Sequence, residues 1–147
     1  DYMNQFFNQV ALQTFSSFDT GKKPSEELEP ERFYHGFVLG LIVDLAEKYR
    51  ITSNRESGFG RYDVIMEPLE ENLDAIIMEF KVQNTAKEKS LEQTVQNALR
   101  QIEEKQYDIE LLSRGITKER IRHYGFAFRG KKVLIGNQEK FGNTSEK

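Results

Sequence analysis

Residues 61–82, RYDVIMEPLEENLDAIIMEFKV, read as two strands, 61–67 and 75–82, joined by a polar loop in which Pro68 and Asn72 break the extended pattern. Side chains alternate across a strand, so one face of this pair carries Tyr62, Val64, Met66, Ile76, Met78, Phe80 and Val82, all apolar or aromatic. The other face carries Arg61, Asp63, Ile65, Ala75, Ile77, Glu79 and Lys81, apolar near the loop and charged at the far end. A hairpin symmetric about Glu71 sets Asp63 opposite Glu79, with Cβ atoms roughly 4.5–5.5 Å apart. Lys81 follows one pleat further on the same face.

Two carboxylates at that spacing repel, more so where solvent is partly excluded, and a hard divalent cation such as magnesium or manganese relieves the repulsion. A lysine beside such a cation orients a water or offsets the charge that builds on a phosphate. The pattern points to a metal-dependent phosphodiester site. The plainer reading is a wet strand face with ordinary charged decoration, and a register slip of one residue would send Asp63 to the other face. Both readings stay open at this point.

Outward from this hairpin, residues 2–18 place Phe6, Val10, Leu12, Phe15 and Phe18 at helical spacing, and residues 19–29 read as a loop. A second helix is expected from Pro30, with Glu29 and Glu31 suiting its positive end and Phe33, Phe37, Val38, Leu41, Ile42, Leu45 and Ala46 forming its apolar stripe. Residues 49–56 read as a strand, and Ser57-Gly58-Phe59-Gly60 as the turn into the Arg61 strand. A long helix with Leu91, Val95, Ala98, Leu99 and Ile102 on its stripe is expected to run on through Ile109 and Leu112 until Gly115 stops it. Residues 121–128 and 132–135 form a hairpin turning at Arg129-Gly130, and a polar tail follows from 137. The order α-α-β-β-β-α-β-β predicts an α/β domain: a mixed β-sheet flanked by helices, in which the long helix crosses over to set a later strand beside the first three. The 147 residues are read as one domain, with a helix and loop at 1–29, a core at 30–136 and the tail at 137–147.

Composition narrows the chemistry. Charged residues are 31% and hydrophobic ones 37% of the chain, a balance typical of a folded globular domain. The absence of cysteine excludes disulfides, zinc–thiolate sites and thiol catalysis, and the two histidines, His35 and His123, are too few for a histidine-rich cluster. No apolar run approaches the roughly 20 residues that span a bilayer, so no membrane partner is expected and a cytoplasmic location is. The chain opens at Asp1 without an initiator methionine, which suggests excision from a longer protein. A net charge of −3 argues against non-specific coating of nucleic acid, yet residues 114–132 hold Arg114, Lys118, Arg120, Arg122, Arg129, Lys131 and Lys132 against the single acid Glu119. That strip suits a phosphate backbone, or equally a solvated hairpin with lysines guarding an edge.

The strings Phe-Tyr-His-Gly at 33–36, Ser-Asn-Arg-Glu-Ser-Gly-Phe-Gly-Arg-Tyr-Asp at 53–63, Glu-Phe-Lys-Val at 79–82, Ala-Leu-Arg-Gln-Ile-Glu-Glu-Lys-Gln-Tyr at 98–107 and Gly-Phe-Ala-Phe-Arg-Gly-Lys at 125–131 together resemble the PD-(D/E)XK nuclease superfamily. The resemblance is nearest to the branch found C-terminal to AAA-type ATPase-like domains. It covers most of residues 15–136, although Tyr62 stands where the signature has proline. It implies a restriction-endonuclease-like fold and hydrolysis of nucleic-acid phosphodiesters with Mg2+ or Mn2+, DNA ahead of RNA, and an ATPase-like domain as a candidate neighbour in the same longer chain.

Carried over residue by residue, the resemblance makes Asp63 and Glu79 metal ligands and Lys81 the catalytic lysine. Glu31 matches a helical acid that some members use as a further ligand, and is equally well placed to stabilise its helix start. Gln101 matches a glutamine near the site in related nucleases, or bonds backbone. His35 lies one turn beyond Glu31. Arg55 and Arg61 flank the glycine turn and are candidates for phosphate contact or ion pairing. Tyr107 and Phe126 are candidates for base stacking or core filling. Two functions follow: a metal-dependent nuclease, or a catalytically idle nuclease-fold module that binds nucleic acid or protein beside an ATPase-like domain.

Overall fold

The computed structural model describes residues 29–55, 61–130 and 132–138, without the side chains of residues 29–35 and of Arg55. The expected helix at 2–18, the glycine turn at 57–60 and nearly all of the tail lie outside the described residues.

A first helix, α1 (Glu29–Leu45), leads into a meander of three strands, β1 (Tyr49–Arg55), β2 (Arg61–Pro68) and β3 (Ala75–Val82). Helix α2 (Leu91–Lys105) and a short α3 (Tyr107–Ser113) then cross over to β4 (Ile121–Arg129), entered through a 3-10 turn at Lys118–Arg120, and β5 (Lys132–Asn137) closes the domain. The five strands lie in sequence order. All neighbours are antiparallel except β3 and β4, which are parallel because a helical crossover joins them. This is the mixed sheet flanked by helices that the sequence predicts, with the α/β architecture of restriction-endonuclease-like proteins.

Each sheet face has its own core. Tyr62, Val64, Met66, Ile76, Met78 and Phe80 join Tyr124, Phe126 and Phe128 under Phe37, Val38 and Leu41 of α1. Phe80 and Phe126 stack with centroids 4.5 Å apart, and Phe37 meets Phe80 edge-on at 5.7 Å. Val82 ends the strand and is exposed rather than part of this core. On the opposite face Ala75, Ile77, Ile121 and Ala127 pack against Val95, Leu99 and Ile102 of α2 and Leu111 of α3.

Helix α2 starts where Ser90 accepts a hydrogen bond from the Gln93 amide, with Glu92 in the first turn and Lys105 in the last, charges that suit the two ends of the helix dipole. It does not continue through Ile109 and Leu112 as one helix. Gln106 takes a left-handed conformation, φ 55°, and the chain restarts as α3. No helix among the described residues is long and apolar enough to cross a membrane.

Candidate active site

The register of β2 on β3 places Asp63 opposite Glu79 and Arg61 opposite Lys81. The four share the sheet face covered by α2. Both carboxylate residues are 0% exposed. Burial on this face is tight because Gly125 of β4, the neighbour of Glu79 in the parallel register, has no side chain to hold the helix off. A Cβ there would lie 2.9 Å from the Val95 carbonyl oxygen and 3.3 Å from Ala98 Cβ.

The ends of α2 and α3 complete the site. Lys105 Nζ stands 3.6 Å from Glu79 Oε1 and 3.9 Å from Asp63 Oδ2, an ionic bridge longer than a hydrogen bond on both sides. The left-handed turn at Gln106 then swings Tyr107 inward, and its hydroxyl donates a 2.6 Å hydrogen bond to Asp63 Oδ2. Among the described residues neither oxygen of Glu79 accepts a hydrogen bond. Burial, reinforced by the Asp63 charge and only partly countered by Arg61 and Lys81, pushes the Glu79 carboxyl up to about 8. Burial also raises the Tyr107 phenol, helped by its bond to Asp63, so the group remains a donor through neutral pH. Burial lowers Lys105.

Lys81 is one pleat from the pair, but its ammonium is bonded to Glu88, with Nζ 2.7 Å from Oε2. Glu88 is buried and also accepts from Asn97 Nδ2 at 2.6 Å and from the Asn84 amide at 2.8 Å. Burial alone would raise its carboxyl, yet these bonds prevail and hold it below the usual range. Gln101 and Arg61 line the same cleft as Lys81, about 370 Å³ in volume.

Of the residues singled out from sequence, the structure thus brings Asp63, Glu79, Arg61, Lys81 and Gln101 to one region. The side chains of Glu31, His35 and Arg55 lie outside the described residues. Helix α1 packs its Phe37, Val38 and Leu41 on the sheet face opposite the carboxylates. Phe126 is a core residue, and the half-buried Tyr107 packs against the second core while its hydroxyl bonds Asp63. Three cations of the basic strip are matched to acids: Arg114 pairs with Glu67 and Glu110, and Arg120 and Arg122 pair with Asp74. These pairs sit toward the loop between β2 and β3, away from the carboxylates.

Lys105 and Glu88 carry site interactions that no motif assigns to them. Lys105 and Tyr107 do stand inside the string at 98–107, six residues or fewer beyond Gln101, which is the available signal. Glu88, in the polar loop after β3, carries none.

The family model of the PD-(D/E)XK nuclease superfamily matches residues 29–138 of the chain. The chain belongs to this superfamily. The match spans the carboxylate pair, the Glu-x-Lys strand and the crossover helix. No curated protein and no solved structure matches the chain. Members of the PD-(D/E)XK superfamily are generally nucleases that use divalent metals. In this PD-(D/E)XK domain no group of three or more His, Asp or Glu side chains among the described residues is placed to hold an ion. The two facing carboxylates nevertheless fit a hard cation: they are paired, buried and oxygen-only, and among the described residues Glu79 has no hydrogen-bond donor on either oxygen.

Proposed function

We propose that the protein is a divalent-metal-dependent nuclease in which Asp63 and Glu79 hold Mg2+ or Mn2+, Glu31 is a candidate further ligand, and Lys81 assists hydrolysis. The facing of two fully buried carboxylates, one of them without a hydrogen-bond donor among the described residues, carries this reading. Burying two carboxylates side by side is costly even with Lys105 near both, and folds retain such a cost at functional sites. When bound, the cation supplies a water of lowered pKa and neutralises charge on the phosphate.

The chain's own residues do the positioning. Tyr107 fixes the Asp63 carboxylate by donating to Oδ2. Glu79 would have to be ionised to hold the cation beside Asp63. The Lys81 ammonium, steadied by Glu88, stands one pleat away to stabilise the negative charge that develops on the phosphoryl oxygens. Gln101, on the wall of the adjoining cleft, is a candidate to orient the attacking water.

The test is cleavage of labelled DNA and RNA oligonucleotides by purified protein. Activity is expected with Mg2+ or Mn2+, lost in EDTA, and lowered at least about a hundredfold in Lys81→Ala and Asp63→Asn proteins whose circular dichroism is native. Undiminished cleavage by Lys81→Ala sinks the proposal.

The Lys105 bridge favours a second reading, a nuclease-fold binding module whose carboxylates are balanced internally. Calorimetry that detects no Mn2+ binding, alongside affinity for nucleic acid, selects that reading. The resemblance of the string at 53–63 extends either proposal to a chain that also carries an AAA-type ATPase-like domain.

A further inference from the structure

Many cationic side chains of this domain are already matched to acids. Arg114, Arg120 and Arg122 are bound to Glu67, Glu110 and Asp74, Lys81 to Glu88, and Lys105 bridges Asp63 and Glu79. The cleft beside Lys81 differs. Among the described residues Arg61, Lys87 and Arg100 form no ion pair, and Arg100 makes only a long hydrogen bond, 3.5 Å, to Asn97. All three line this 370 Å³ cleft. It holds four cations, Arg61, Lys81, Lys87 and Arg100, against two carboxylates, Glu88 and Glu104. Glu88 is spent on Lys81, so the space itself is left with an excess of positive charge in a chain whose net charge is −3.

The position is as informative as the charge. Arg61 and Lys81 face each other two residues along the strands from Asp63 and Glu79. Two residues of strand are about 6.7 Å, on the scale of one nucleotide step in an extended strand. The cleft is bounded by the start of β2, the loop after β3 and the outer face of α2, and its volume of about 370 Å³ suits a phosphate and its sugar. Asn97 and Gln101 add neutral polar groups to its wall.

We propose that this cleft is a phosphate subsite for a single nucleic-acid strand, in which Arg61, Lys87 and Arg100 hold the phosphate adjacent to the one presented to the carboxylates. The proposal rests on the nuclease reading for which phosphate is adjacent to what, but binding itself needs no metal and no turnover.

The experiment measures binding of a fluorescein-labelled twelve-nucleotide oligothymidylate by anisotropy in EDTA across a range of salt. The Lys87→Gln/Arg100→Gln double variant is expected to bind about tenfold more weakly and to flatten the slope of log K against log salt by about 0.7 for each phosphate no longer neutralised. Arg122→Gln, which breaks a pair with Asp74 remote from the cleft, is expected to leave affinity and slope unchanged. A double variant that keeps the wild-type slope overturns the proposal, as does a wild type with no salt-dependent affinity. If the double variant loses binding while even the wild type cleaves nothing with Mg2+ or Mn2+, the subsite stands and the catalytic reading falls.

Discussion

Replacing Glu79 by glutamine is expected to stabilise the metal-free protein selectively at neutral and alkaline pH while destroying its use of a cation. The Glu79 carboxyl titrates at about 8 in the folded chain against an ordinary value of 4.5. The folded state therefore holds this proton more tightly than the unfolded state. The benefit is complete below 4.5 and is lost as pH climbs from 4.5 through 8. At about 1.4 kcal/mol per pKa unit, ionisation of Glu79 in the unfolded chain, which the fold resists, lowers stability by under about 1 kcal/mol at pH 5 and roughly 3 kcal/mol at pH 7.

Glutamine has no such proton. Its amide brings a penalty beside Lys105, but one that does not depend on pH. The stability of Glu79→Gln minus that of wild type, from urea unfolding in EDTA, should therefore swing toward the variant by about 2–3 kcal/mol between pH 5 and pH 7. Saturating Mn2+ should reverse the order at pH 7, because ligand binding stabilises only the chain that retains both carboxylates. A pH-independent difference, flat to within about 0.5 kcal/mol, would refute the picture of a buried carboxylate strained by Asp63.

Two further substitutions probe the groups around the pair. Tyr107→Phe removes the donor to Asp63 Oδ2 and should cost about 1.5–3 kcal/mol in urea unfolding, with roughly tenfold slower single-turnover cleavage; equal stability would mean that water replaces the phenol at no cost. Lys105→Met removes the ammonium that bridges both carboxylates, so the metal-free protein should lose about 1–3 kcal/mol at pH 8 while Mn2+ affinity measured by calorimetry rises; weaker Mn2+ binding would show that Lys105 supports the cation instead of competing with it.

What the sequence made legible follows from how local the determinants are. The alternation in 61–82 gives one fully apolar face in a single register, and the breakers Pro68 and Asn72 fix the loop, so the facing of Asp63 and Glu79 was accessible from pattern alone. The crossover to β4 followed from an apolar helix between strands. The break at Gln106 was hidden because the stripe through Leu99, Ile102, Ile109 and Leu112 keeps helical spacing across it, and glutamine carries no left-handed signal. The pairing of two arginines of the basic strip was hidden for a different reason. Arg114 and Arg122 meet Glu67 and Asp74 at sequence separations of 47 and 48, which only the closed sheet brings together. The tether of Lys81 to Glu88 has a short span of seven residues, yet loop geometry decides it, and no periodicity encodes loop geometry.

Gly125 offers a last consequence. It has no functional group and touches no candidate ligand by side chain, yet it sets how closely the α2 backbone lies over the strand next to Glu79. The acidity of a carboxyl is thus tuned by an empty position on the adjoining strand: the hydrogen at that Cα lets the helix act as a roof, and the roof keeps water from the acid beneath. A methyl there would have to lift the roof by several tenths of an ångström, and the proton affinity of Glu79 would fall as solvent returned. In this domain the reactivity of a side chain is written partly in the space another residue leaves unfilled.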